Sequence, residues 1–267
     1  MRIRLFFHTA LLFLLAQSLG LVVTDQLLAM AFPTAESAPL TMVQFLILFF
    51  SVTVFMLIMF QLYRGKVLYR ILFGAVLFIG LLKIFELVFP TSLSLIVALF
   101  FIAGLMLLPQ LWVHDLIILL AAAGIGPVFG LQFQWQMALM MLAILSVYDF
   151  VAVFITRHMI LLAHEMIRHQ ASFAFIIPEK FRNFKAYLSD VKPGGGFLIL
   201  GGGDIILPML LTASLYSVDP RSTYYCIGGM IAGLFCNHMI LMKSRHPLPA
   251  LPFITLGAAA GIALAFL

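Results

Sequence analysis

Charge is what this chain has least of. Lys, Arg, Asp and Glu make up only 9% of its 267 residues, whereas 64% are hydrophobic and the mean hydropathy is +1.17. Soluble globular domains carry roughly 25% charged residues, so the composition reads as an integral membrane protein. Cysteine is almost missing as well: Cys226 and Cys236 are the only two. On one helix they stand about 15 Å apart along the axis, too far to pair. Neither a disulfide framework nor a cysteine-built metal cluster follows, and no internal repeat is evident.

What is present is a succession of apolar stretches. A bilayer crossing needs about 20 residues, and cutting at Pro, Gly and charged clusters gives nine spans. They run roughly over 5–30, 40–63, 67–89, 91–108, 114–131, 135–156, 197–216, 222–242 and 248–267. Arg2 and Arg4 ahead of Leu5 to Ala16 have the order of a signal peptide, but apolar spans recur to the C-terminus, so the first reads as a retained helix. The expected fold is one all-α polytopic membrane domain. Residues 1–156 form a first six-helix part, 157–196 a flexible cytoplasmic loop, and 197–267 the last three helices. Within the loop, Ala174 to Pro178 is an apolar run suited to the membrane surface or to a strand, and Pro193 to Gly196 break regular structure before the seventh span.

Lysine and arginine set the orientation, because short cytoplasmic connections hold an excess of them. With the N-terminus inside, the inner segments hold Arg2, Arg4, Arg64, Lys66, Arg70, Arg157, Arg168, Lys180, Arg182, Lys185, Lys192, Lys243 and Arg245. Outside there is only Arg221, beside Asp25, Glu36 and Asp219. An odd number of spans then leaves the C-terminus outside. The net charge of +5 is mainly this orientation signal, and it gives no support to nucleic-acid binding.

Against this apolar background Asp149 and Asp204 stand out, each interrupting a stretch long enough to cross a bilayer. A carboxylate in hydrocarbon costs at least a few kcal/mol and points to function. Asp149 lies about seven residues before the inner end of the sixth span, and Asp204 about seven after the inner start of the seventh. Both then sit about 10 Å below the cytoplasmic face at 1.5 Å per residue. Two carboxyls at one depth repel, share a proton and titrate as a unit. The ionised member can draw a proton from water while the neutral one hydrogen-bonds a carbonyl, which is the acid/base arrangement of aspartic proteolysis. It requires no metal and no cofactor.

A substrate helix hides its carbonyls in internal hydrogen bonds, so it must unwind and approach closely. Gly201 and Gly203 remove side chains just before Asp204, and Pro249 and Pro252 around Ala250-Leu251 break helical backbone at the mouth of the ninth span. Taken singly, each feature has a plainer reading: an interhelical hydrogen bond, close glycine packing, a proline-rich helix start. Their order and depth together favour the site. Other polar groups are assigned structural roles. Lys83 and Glu86 form an ion pair at i,i+3, His114-Asp115 is an interfacial helix start, and Asn237-His238 makes interhelical hydrogen bonds. His164-Glu165 with His169 misses the four-residue histidine spacing of a zinc-protease helix and reads as a solvated face.

At Tyr148-Asp149, Gly201-Gly202-Gly203-Asp204 and Pro249-Ala250-Leu251 the chain resembles the presenilin and signal peptide peptidase group of intramembrane aspartyl proteases, above all its archaeal presenilin homologues. The stretch from Val147-Tyr148-Asp149 to Thr156-Arg157-His158-Met159 is archaeal in type. The resemblance implies a nine-helix presenilin-like fold and an endopeptidase that cuts transmembrane helices. Asp149 and Asp204 would be catalytic, Tyr148, Gly201 and Gly203 supporting, and Gly202, Pro249, Ala250 and Leu251 against the substrate. It further implies a plasma-membrane protein of an archaeal cell, acting on membrane-protein helices within the bilayer. No obligatory accessory subunit, cofactor or nucleic acid is implied, and a homo-oligomer is left open. Two rival readings use the same carboxylates: an ion or proton transporter, and a helix-binding chaperone without catalysis. Gly-x-Gly-Asp together with Pro-Ala-Leu favours the protease, because an ion path has no use for a cradle that holds an extended strand.

Overall fold

The structure, a computed structural model, describes residues 2–30, most of 41–55, 66–108, 110–154, 173–179, 181–191, 196–243 and 248–267. Eight helices are bounded in it: α1 (Arg2–Ala29), α2 (Lys66–Phe85), α3 (Thr91–Leu107), α4 (Leu111–Gly130), α5 (Trp135–Phe154), α6 (Gly203–Tyr216), α7 (Pro220–Lys243) and α8 (Leu251–Ala265). Helical residues between 43 and 55 fall in the expected second span, the rest of which lies outside the described residues. Among the described residues α1, α4, α5 and α7 are long and apolar enough to cross a membrane, while apolar stretches of α2, α3, α6 and α8 are shorter. The protein is thus polytopic and predominantly α-helical, with four full-length spans among the described residues instead of nine.

The seventh expected span shows why lengths fall short. It opens as a strand, β2 (Phe197–Gly201), antiparallel to β1 (Ala174–Pro178) with Phe175 opposite Leu200 and Ile176 opposite Ile199. Backbone groups inside an apolar protein must be paired, and β1 supplies the partners that a helical turn would otherwise supply. Gly196, just ahead of β2, has φ +86°, a left-handed conformation that glycine adopts without strain.

The segment expected to be a flexible loop is folded from 173 to 191 within the described residues. Two 3-10 turns, Phe181–Lys185 and Leu188–Asp190, follow β1. Leu188 and Val191 bury against Ile176 of β1 and Leu111 at the start of α4, closing a second small core. Apolar burial of this kind, and not only the polar sequence between, decides whether a connection is ordered. Residues 155–172, with His164, Glu165 and His169, lie outside the described residues.

Helix α4 is the hub. It is the most buried of the four long helices and packs against α1, α2, α3, α6 and β1. Lys83 and Glu86 pair at 2.9 Å on the accessible end of α2, as their spacing requires. Cys226 and Cys236 lie on α7, one buried and one exposed, and neither is in a disulfide. Asp219 caps α7: its carboxylate accepts from the Arg221 backbone N–H at 3.0 Å and from the Ser222 hydroxyl, ahead of Pro220 at the first helical position. Helices α7 and α8 run together more intimately than any other pair. A Cβ added to Gly257 would stand 2.1 Å from the Gly229 carbonyl oxygen, and one on Gly229 would stand 2.0 Å from the Gly257 carbonyl oxygen, so the backbones touch.

Replacing Gly257 by Leu therefore forces α7 and α8 apart, at a cost of roughly 2 kcal/mol or more. Thermal unfolding in detergent should register this as a midpoint lowered by about 4 °C or more. Gly228→Ala, where a Cβ meets nothing within 4 Å, should leave the midpoint unchanged or slightly raised; equal losses from the two would contradict the packing.

Candidate active site

Asp204 owes its position to the turn that converts β2 into α6. The Gly202 N–H donates to the Phe173 carbonyl at 2.7 Å, and the Gly202 carbonyl accepts from Ile205 and Ile206, which starts the helix. A Cβ on Gly202 would stand 2.4 Å from the Phe173 oxygen, so this turn admits only glycine. Gly202 is buried in this turn. Gly203 is exposed, and a Cβ there meets nothing within 4 Å. Gly201 adjoins the carboxyl itself: its added Cβ would lie 3.3 Å from Asp204 Oδ2, and its backbone interacts with that carboxyl.

Asp204 is therefore in the first turn of α6, not two turns inside a helix. Five strand residues and a turn precede it, so a depth reckoned at 1.5 Å per residue does not apply; a strand rises about 3.3 Å per residue. The first turn of a helix has unpaired N–H groups and favours a negative charge.

The hairpin that carries Asp204 is pinned to α4. Asp115 Oδ1 accepts from the Ile176 N–H of β1 at 3.0 Å and lies 3.3 Å from His114 Nδ1. His114 stacks on Phe73 of α2, whose ring meets Phe173 edge-on at 4.8 Å. His114 is 0% and Asp115 4% exposed, so this pair, near the start of α4, is a buried anchor. On the other side α1 holds α6 through Gln17, which accepts from the Thr212 hydroxyl at 2.8 Å.

Asp149 comes from α5 and is 8% exposed. Its carboxyl interacts with the backbone amide of Leu251, the first residue of α8. Pro249 and Ala250 precede that amide as buried, non-helical residues, and Pro252 follows it in the first turn, where its missing N–H costs nothing. One turn back along α5, Ser146 Oγ meets Thr255 Oγ1 of α8 at 2.6 Å, so α5 and α8 are joined at two levels. The Asp149 and Asp204 carboxyls are near enough to repel each other. Tyr148 turns its ring edge-on to Phe50, with centroids 6.4 Å apart.

Three stretches far apart in sequence thus converge on two carboxyls. The family model described as "Signal-peptide peptidase, presenilin aspartyl protease" matches residues 9–267. The chain belongs to this family. Two solved structures, both described as a presenilin family intramembrane aspartate protease, share the fold. The one in the C222 space group has a TM-score of 0.70 and 23% identity, with 98% of each chain covered. The one in the P2 space group has a TM-score of 0.69 and 24% identity, covering 96% of this chain and 95% of that chain. No curated protein matches. Membership makes this protein an intramembrane aspartyl endoprotease, a hydrolase acting on transmembrane helices.

Sequence reasoning missed several residues around the presenilin-family site. Ser146 and Thr255 carry a helical-spacing signal, three before Asp149 and four after Leu251. Asp115 and Gln17 act through contacts distant in sequence that no spacing reveals. Asn237 and His238, read as interhelical hydrogen bonding, line a small cavity with Asp204. Among the described residues no three metal-ligating side chains gather.

The glycines differ enough to be separated experimentally. Gly202→Ala must displace the Phe173 carbonyl, costing about 1–3 kcal/mol, and should lower the unfolding midpoint by several degrees. Gly203→Ala should leave the midpoint within error. The reverse order would show that the turn is built differently.

Proposed function

We propose that Asp149 and Asp204 are the catalytic pair of this presenilin-family protease and that water is the nucleophile. The observation that carries the reading is the convergence on one place: the Asp149 carboxyl at the Leu251 amide, within electrostatic range of Asp204 in the first turn of α6. One carboxylate takes a proton from water as its oxygen attacks the scissile carbonyl carbon, and the other, protonated, hydrogen-bonds the carbonyl oxygen. Breaking the C–N bond then passes a proton to the leaving nitrogen, leaving a new carboxyl and a new amine.

Gly203 gives an extended substrate backbone open space beside Asp204, and Gly201 keeps the flank of that carboxyl free of a side chain. Pro249, Ala250 and Leu251 shape the opposite wall, and Tyr148 supports Asp149 from the adjoining position on α5. Gly202 contributes by fixing the turn. In the membrane we place the N-terminus in the cytoplasm and the C-terminus outside, with nine crossings and the plasma membrane of an archaeal cell as the setting. The lysine and arginine distribution supports that orientation. Substrates are then helices whose N-terminus lies outside, cut by a single chain with no accessory subunit.

The test is cleavage of a labelled transmembrane peptide by purified protein, read by mass spectrometry. Asp149→Asn and Asp204→Asn should each lower kcat by about a thousandfold or more, with the fold kept. Parent-level cleavage by either variant would remove that residue from the pair.

A further inference from the structure

Behind β2 lies a cavity of about 70 Å³, bounded by α1 at Phe6 and Thr9, by β2, by α7 and by Ala250 at the mouth of α8. Asp204 lines it, and so does Asn237 from α7, which is only 7% exposed. The Asn237 Oδ1 atom has no hydrogen-bond partner among the described residues. A buried carbonyl oxygen left unmet costs about 1–3 kcal/mol, and in native proteins such groups are commonly met by an ordered water.

The cavity suits water in size and in chemistry. One water needs roughly 10–15 Å³ of such space, so there is room for at least one. Thr9 commits its hydroxyl proton to the Leu5 carbonyl at 2.9 Å, which leaves its oxygen able to accept. Asp204, Asn237, His238 and Thr9 thus offer polar groups to water, while Leu198, Leu200 and Leu234 close the remaining walls. An amide at position 237 supplies an acceptor without adding a third negative charge beside the aspartates.

We propose that Asn237 is a positioning residue for hydrolysis, its Oδ1 accepting one hydrogen bond from a water whose other hydrogen faces Asp204. The cavity is then the reserve from which the attacking water is replaced. Each cleavage consumes one water: OH joins the acyl carbon and the remaining hydrogen ends on the amine. In a hydrocarbon surrounding, that molecule needs a polar resting place next to the carboxyl, and Asn237 provides it. The inference rests on the catalytic reading of Asp204.

Two variants and one structural measurement decide it. Asn237→Leu, with the same branched shape but bulkier and without polar atoms, should lower kcat about tenfold to a hundredfold with KM and the unfolding midpoint near those of the parent. Asn237→Ser, which restores a hydroxyl and leaves space for a further water, should recover most of the rate. Parent-level kcat in Asn237→Leu would overturn the proposal, as would a raised midpoint, because an apolar side chain stabilises only a dry cavity. An experimental structure that resolves waters should show one within hydrogen-bond distance of both Asn237 Oδ1 and the Asp204 carboxyl, and a dry cavity overturns the proposal whatever the activity. If the parent cleaves no peptide, the catalytic reading of Asp204 fails on its own, while the water position still decides whether Asn237 holds one.

Discussion

Two carboxyls brought close together inside apolar protein repel each other and lose water, so each must be given polar backbone at the point where it is buried. The folding around this site follows from that constraint. Asp149 meets the amide that α8 leaves free at its first residue, and Asp204 sits in the first turn of α6 beside the backbone of Gly201. Helix termini are the places where a membrane fold has spare N–H groups. Both aspartates therefore lie against chain ends of helices instead of between two uninterrupted ones.

Bringing a helix terminus into the interior requires a non-helical approach whose own backbone is paired. For α6 that approach is the β1–β2 hairpin, locked by the Gly202 N–H on the Phe173 carbonyl and tied to α4 by Asp115. For α8 it is Pro249 and Ala250, with Ser146 and Thr255 joining α5 to α8 one turn beyond the carboxyl. The short apolar helices and the strand are thus parts of one solution: length is given up so that ends can reach the site. Helix α4, packed on α1, α2 and α6, gives this assembly a rigid back.

Much of this was legible in the residues. The bounds of α1, α3, α4, α5 and α7 fall within a few residues of the expected spans, because hydropathy and proline placement determine them directly. The motifs around Asp149, Asp204 and Leu251 identified the residues that the fold brings together. What spacing could not reveal was the state of Phe197 to Gly201: a short apolar run of strand-forming residues looks the same as the start of a membrane helix until its partner is known. The contact that Asp115 makes was hidden for a related reason. A charge near a helix start suggests an interface, and only the β1 amide it binds explains its burial. Asn237 resembled an ordinary interhelical amide, and that its oxygen lacks a partner among the described residues shows only once the chain is folded.

The interaction on which this arrangement turns can be measured without any substrate. Thermal unfolding of the parent, of each Asp→Asn single variant and of the double variant forms a cycle whose non-additivity is the coupling between residues 149 and 204. If the two carboxyls share one proton, each single substitution breaks the same shared arrangement, so the double variant should depart from the summed single effects by more than about 0.5 kcal/mol. Single effects that simply add would mean that the carboxyls do not interact, and would contradict a shared catalytic site.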